Sequence, residues 1–196
     1  IVSNPLDAMV YAALKILKFP REHVIGMAGI LDSARMSHFI CEKLGYGAGQ
    51  IESSVMGGHG DAMVPLVNYS TVAGVSLPEL LSKEDIEDIV TKTKNGGLQI
   101  VKLLETGSAY YAPAHATSLM VEAILHNTRK IYPCSVMLDG EYDCKNVVSG
   151  VPVMLGSNGI EKIIELNLNE EQKELFANSV APVQELIDTL DEKFFI

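Results

Sequence analysis

The apolar positions fall into two regimes along the chain. Up to about residue 28 they form two short continuous runs around one helix-spaced segment. Ile1-Val2-Ser3 reads as the tail of a buried strand. Asn4-Pro5 then opens a helix, with Asn4 as its cap and Pro5 in its first turn. The helix runs to about Lys18, where Phe19-Pro20 breaks it. His23–Met27 reads as a short strand closed by Gly26 and Gly29. Strand, helix, strand is the crossover unit of a parallel sheet. One such unit cannot bury both faces of a sheet, so residues 1–28 read as the last section of a larger doubly wound α/β domain.

Beyond residue 28 helical spacing and strict alternation take turns. A helix is expected from Ile30 to Leu44, ended by Gly45. Gln50–Met56 alternates as a strand does, and Val64–Val72 is a second β-branched run. Ser82 caps a long helix reaching about Glu105, inside which Asn95-Gly96-Gly97 marks a bend or interruption. Ala112-Pro113 begins another helix, to about His126. Lys130–Leu138 and Asn146–Val153 form a hairpin around Asp139-Gly140, and Gly159–Leu166 is a further strand. Asn169-Glu170-Glu171 opens a closing amphipathic helix with Leu175, Val183, Leu186, Ile187 and Leu190 on one face. Residues 29–196 therefore read as an α+β unit with antiparallel sheets. No internal repeat or low-complexity segment interrupts this order.

Composition narrows the function classes. Of the 196 residues 47% are apolar and 20% charged, enough to build a core and too balanced for disorder. The net charge of −10, with no Lys/Arg run, argues against nucleic acid as a partner. An anionic ligand would be repelled by the chain as a whole, so specific arginines would have to hold it. No apolar run approaches the ~20 residues of a membrane span, and no signal peptide is visible. Cys41, Cys134 and Cys144 form no CxxC pair, which points to reduced thiols and a cytoplasmic setting. Cys134 and Cys144 flank the hairpin tip and could face each other across it. The absence of an initial methionine and the strand-like opening raise the expectation that a further segment precedes Ile1.

Candidate chemistry centres on Gly57-Gly58-His59-Gly60-Asp61. Glycines let backbone approach closely on both sides of an imidazole whose ordinary pKa suits proton transfer. A glycine-rich turn is the bland reading. Upstream, Asp32 and Arg35 are three apart and share a helix face, the spacing of an ordinary surface ion pair. Brought beside His59, they make a more specific set. A carboxylate orients the imidazole and stabilises its protonated form, while a guanidinium fork grips a carboxylate. Base, orienter and clamp together fit a small carboxylic acid bearing a hydroxyl or keto group. Asn4 is a helix cap or, at the carboxyl end of a parallel strand, a ligand-binding amide. Gly45-Tyr46-Gly47-Ala48-Gly49 follows a helix rather than a strand and reads as a turn, not a dinucleotide fingerprint. His59, Asp61 and His115 match no metal-ligand spacing, so no metal is expected. His23, His38 and His126 read as surface or helix-end residues.

Read in order, Ser3-Asn4-Pro5-Leu6-Asp7, Ile25-Gly26-Met27-Ala28-Gly29, Leu31-Asp32-Ser33-Ala34-Arg35 and Gly57-Gly58-His59-Gly60-Asp61 resemble the lactate/malate dehydrogenase family. The resemblance continues through Gly107–Ala114, Gly140-Glu141-Tyr142 and Val151-Pro152-Val153, and so covers essentially the whole chain. It implies that residues 1–28 end a Rossmann-type dinucleotide-binding domain and that residues 29–196 form the substrate-binding, catalytic domain. It implies His59 as proton acceptor and donor, Asp32 as its partner, and Arg35 and Asn4 as substrate-binding residues. Val2, Ser3 and Asn4 would line the nicotinamide side of an NAD site. The implied reaction is NAD-dependent hydride transfer from a 2-hydroxy acid, in a cytoplasmic homodimer or homotetramer. Gly57-Gly58 before the histidine and the Ser108-Ala109 pair are similar to the lactate-dehydrogenase-like malate dehydrogenases, which favours a dicarboxylate. A lactate or general 2-hydroxy-acid dehydrogenase is the alternative, and a non-catalytic assembly module or a metal-dependent hydrolase are readings from other classes. The family's glycine-rich phosphate loop, ribose-binding acid and arginine-bearing mobile loop have no counterpart here. The 196 residues are therefore expected to be the C-terminal part of a longer chain, inactive or nearly so alone.

Overall fold

The computed structural model describes residues 1–195. Helix α1 spans Leu6–Leu17 and buries Leu6, Ala8, Val10 and Tyr11, together with one charged residue, Asp7. Its N-cap is Pro5, with no side-chain cap, so Asn4 does not serve as the cap; the Asn4–Pro5 peptide is cis. Lys18, in the left-handed region at φ 52°, ends the helix. The expected strand at His23–Met27 shrinks to a crossing point, because Arg21–His23 form a 3-10 turn. There Gly26 exchanges two hydrogen bonds with Ser135, of 2.8 and 3.0 Å. On its other side the Ile1 nitrogen donates to the Ile25 carbonyl, and the Ile1 carbonyl accepts from Met27 N–H, at 2.8 and 2.9 Å. That is the slanted spacing of a parallel pair. Ile1 and Val2 are nevertheless exposed, not buried as a core strand would be. Glycine is required at 26: a Cβ would stand 2.8 Å from both Ser135 Cβ and Val10 Cγ2.

Helix α2, Gly29–Leu44, ends at Gly45 with φ +67°, as expected. The alternating run that follows splits in two. β1 (Ile51–Glu52) and β2 (Val55–Met56) belong to different sheets. Serines make the jog. Ser53 Oγ donates to the Ser33 carbonyl, Val55 N–H donates to Ser33 Oγ, and Ser54 N–H donates to Ser70 Oγ. Side chains thus take bonds that a continuous ladder would have used. The second run is likewise cut by a 3-10 turn at Val67–Tyr69 into β3 (Val64–Pro65) and β4 (Thr71–Val72). β3 pairs with β2, while β4 lies between β1 and β5 (Val75–Ser76).

The short helix α3 (Leu77–Leu80) leads into α4, Lys83–Leu104, whose Ser82 cap accepts from Asp85 N–H. Contrary to expectation, α4 runs through Asn95-Gly96-Gly97 without a break. Helix α5 covers Tyr111–Leu125. β6 (Lys130–Asp139) and β7 (Lys145–Gly156) form the expected hairpin, with β8 (Gly159–Ile163) on the far edge of β7. Cys134 pairs with Val151, so it does not face Cys144, and all three cysteines are free thiols. Helix α6, Glu170–Phe194, starts with a reciprocal Asn169–Gln172 capping box. Its buried stripe is Phe176, Val180, Val183 and Ile187; Leu175 and Leu186 face solvent instead.

Two cores result. The larger packs α1, α5 and α6 on the β6–β7–β8 sheet, and the smaller joins α2 and α4 to the short strands. Helix α2 serves both, giving Ile30 and Leu31 to the first and Met36 and Ile40 to the second. Its N-terminal half is thereby fixed from two sides, and that half carries Asp32 and Arg35.

Candidate active site

His59 follows β2 by three residues. Gly57 exchanges hydrogen bonds of 2.8 and 3.0 Å with Gly150 of β7, which anchors the end of the strand to the main sheet. Gly57 has φ +86°, and a Cβ there would lie 2.3 Å from Ser179 Oγ; on Gly150 it would lie 2.6 Å from the Gly57 carbonyl oxygen. Two glycines therefore permit the contact that aims the chain at the site. Gly58 N–H donates to Ser179 Oγ at 2.7 Å, and His59 N–H donates to Asp7 Oδ2 at 2.9 Å.

The His59 ring meets α2. Its Nδ1 is 2.8 Å from Asp32 Oδ2, and Arg35 Nη1 donates to Asp32 Oδ1 at 3.1 Å. The Asp32–Arg35 pair is thus not a surface ion pair. Asp32 is 1% exposed, and the arginine side chain is mostly covered. An ionised carboxylate only accepts, so Nδ1 carries the ring proton and Nε2 is left for a ligand. Burial alone would lower the His59 pKa. The Asp32 hydrogen bond and charge, with the charge of Asp7, outweigh burial and the opposing Arg35, and hold it above 6.5. Burial pushes Asp7 above the ordinary carboxylate range, against the pull of its Ser135 and His59 donors.

The ring opens into a cavity of about 1010 Å³ between the start of α2 and the facing parts of α4 and α5. Arg35, His59, Asn4 and Ser108 supply polar wall, and Val2, Met27 and Leu31 an apolar one. The Gly96-Gly97 pair, expected to bend α4, instead lies against the arginine within an unbroken helix: a Cβ on Gly97 would stand in ordinary contact, 3.5 and 3.6 Å, with the two Nη atoms. Arg35 Nε is buried without a hydrogen-bond partner, so the guanidinium is not spent on Asp32 alone. The apolar patch beside the Asn4 amide suits a flat ring carrying an amide, the chemistry of a nicotinamide. Ser3 is exposed and lies outside the cavity lining.

The structure thus brings His59, Asp32 and Arg35 into direct sequence of contact and sets Asn4 and Val2 at the same cavity. Among the described residues no cluster of three or more His, Cys, Asp or Glu side chains is arranged to hold a metal ion, and His115 is exposed on α5. No described helix is long and apolar enough to cross a membrane. Three supporting residues were not anticipated: Asp7, Ser135 and Ser179. Their signal was present as polar residues on otherwise apolar faces, Asp7 with Val10 and Tyr11, and Ser179 between Phe176 and Val183.

The chain is similar to known proteins along nearly its whole length. Residues 30–194 match the model of the lactate/malate dehydrogenase α/β C-terminal domain. The malate dehydrogenase of Sulfurimonas denitrificans is 66% identical over 195 residues, covering 99% of this chain and 61% of that protein. The crystal structure of Cryptosporidium parvum malate dehydrogenase superposes with a TM-score of 0.95 at 40% identity, over 97% of this chain and 62% of that one. The lactate dehydrogenase of Eimeria maxima, solved with NADH and oxamate, gives 0.94 at 41% identity, over 96% and 59%. The chain spans about three-fifths of the length of these relatives. Matched over residues 30–194 by that domain model and along nearly its whole length by these relatives, the chain belongs to the lactate/malate dehydrogenase family.

Proposed function

We propose that this chain is the catalytic C-terminal part of a cytoplasmic NAD-dependent malate dehydrogenase, which interconverts (S)-malate and oxaloacetate. The observation that carries the reading is the His59–Asp32–Arg35 chain of contacts at the cavity wall. In the oxidative direction neutral His59 takes the hydroxyl proton at Nε2 as hydride leaves the adjacent carbon. The imidazolium so formed is stabilised by Asp32, whose buried carboxylate also fixes the tautomer. In the reductive direction the imidazolium polarises the keto oxygen. Arg35 holds the carboxylate next to the reacting carbon through charge-assisted hydrogen bonds. Asn4 hydrogen-bonds the substrate oxygen. NAD, when bound, would supply the hydride acceptor, and Val2 and Asn4 of the cavity wall would hold its nicotinamide, while Ser3 lies outside that wall.

Residues 1–28 are assigned to the preceding dinucleotide-binding domain and residues 29–196 to the catalytic domain, the whole forming a homodimer or homotetramer. Ser108 and Ala109 are small wall residues that leave space for a second carboxylate, which favours malate over lactate. Steady-state rates on the complete protein test this. Oxaloacetate should be reduced with a far higher kcat/KM than pyruvate, and His59→Gln should lower the rate by about 10²–10⁴. A preference for pyruvate would make it a lactate dehydrogenase. An unchanged rate in H59Q would overturn the acid–base assignment, and a complete protein that neither binds NAD nor turns over either acid would leave only an assembly role.

A further inference from the structure

We infer that Asp7 is a positioning residue for His59: from the interior side of the site it anchors the histidine's backbone and adds a second buried negative charge to the imidazole's surroundings. The inference rests on the acid–base reading of His59 given above. Asp7 sits in the first turn of α1, on its buried face, 5% exposed among Leu6, Ala8 and Val10. A carboxylate in such a place is costly unless both oxygens are engaged. Both are. Oδ1 accepts from Ser135 Oγ of β6, and Oδ2 accepts from the His59 backbone N–H at 2.9 Å. Both donors favour the ionised carboxylate and offset part of the burial that pushes Asp7 above the ordinary carboxylate range.

Three segments therefore converge on Asp7: α1, β6 and the His59 loop. The same side chain ties the base of the His59 loop to the sheet and places its charge behind the ring that Asp32 holds from the front. The charged groups around His59 are few. Helix α2 contributes Asp32 and Arg35, and α1 contributes Asp7. Asp61 lies on the histidine's own segment, and Lys94 lines the cavity from α4. The other two elements packed against the loop, β7 and α6, present Gly150 and Ser179, which carry no charge. Of these groups Asp32 and Asp7 favour the imidazolium and Arg35 opposes it. Asp32 is committed to ring and guanidinium together, and Asp7 adds its charge without touching the ring.

Asp7→Asn isolates the charge. The amide keeps an oxygen for His59 N–H and can turn its NH₂ towards Ser135 Oγ, so the anchoring contacts persist while the negative charge is lost. In the complete, NAD-loaded enzyme the acidic limb of the kcat/KM profile for malate oxidation should move to lower pH. The rate of oxaloacetate reduction on the alkaline side should fall severalfold, because less imidazolium survives there. A residue with a purely structural role would lower the melting temperature and leave both limbs in place. If D7N does not accumulate as folded protein, Ser135→Ala is the variant to read: it weakens the ionised state of Asp7 and should shift the same limb the same way by less. An unmoved limb in the folded variant, beside an inactive H59Q, overturns this inference alone. An active H59Q overturns the acid–base reading and this inference with it.

Discussion

The two sides of His59 are held by opposite kinds of interaction. On the cavity side, the ring meets Asp32 and, through it, Arg35, a line of charged groups at 2.8 and 3.1 Å. On the interior side, the backbone of residues 57–59 is clamped by Gly150, Ser179 and Asp7, mostly through close approach of uncharged groups. The cavity side is tuned by charge and proton position, and small changes there alter chemistry before they alter the fold. The interior side is tuned by space: Cβ atoms on Gly57 or Gly150 would fall 2.3 and 2.6 Å from their neighbours. Changes there strain the fold first. An imidazole with a useful pKa needs both, since a titratable ring is effective only if its position does not wander.

Substitutions on the two sides should therefore separate activity from stability. The largest effect is expected from Asp32→Asn in the complete enzyme. An amide cannot hold the imidazolium and also satisfy Arg35, and it admits the wrong ring tautomer, so kcat/KM should fall by about 10²–10⁴. The His59 contribution to stability should change with it. Because the folded state raises the His59 pKa above 6.5, that contribution is fully present below the unfolded-state value and is lost as pH rises through the folded-state value. Melting temperatures measured across that window should lose this dependence in D32N. Next in size is Arg35→Lys. An ammonium replaces the fork, so the carboxylate loses its two-point grip at a cost of roughly 3 kcal/mol, about a hundredfold in kcat/KM. A KM within twofold of the wild type would show that Arg35 is not the clamp.

Much of this arrangement is legible in the residues themselves, and the exceptions share a cause. The β6–β7 hairpin and α2 are long, strongly patterned and bounded by Gly140 and Gly45, so periodicity alone finds them. Asp32, Arg35 and His59 stand out because charge and glycine surround them in short motifs. The misreadings arise where a side chain from elsewhere in the chain supplies the deciding contact. Ser33 and Ser70 break the run at 50–56 into two strands. Gly96 and Gly97 lie against the Arg35 side chain inside an unbroken α4, so they mark a contact rather than a bend. Asn4 is displaced from capping by Pro5 and lines the cavity instead. Long-range polar contacts of this kind have no period, and Asp7, the most consequential of them, pairs with residues 52 and 128 positions away.

On the interior side, Gly150→Ala should destabilise the domain by about 2 kcal/mol through overpacking against the Gly57 carbonyl. Denaturant titration would measure it. The folded fraction should keep the wild-type pH profile, because no charge near the ring changes. A shifted profile with unchanged stability would mean that the two sides are not separable.

The smallest effect, and the sharpest test of the division, belongs to Ser179→Ala. Ser179 is 2% exposed on α6, and its Oγ accepts the Gly58 N–H at 2.7 Å. Alanine removes that acceptor and leaves a buried amide without its partner, which costs about 1–2 kcal/mol. That loss should read as a lower denaturation midpoint with an unchanged slope. Both kcat and the pH limbs should stay within about twofold of wild type, because the ring keeps Asp32 and the loop keeps Gly150 and Asp7. If S179A instead lowers kcat tenfold or more at full stability, the amide of Gly58 is steering the imidazole directly, and the interior side belongs to the chemistry as much as the cavity side does.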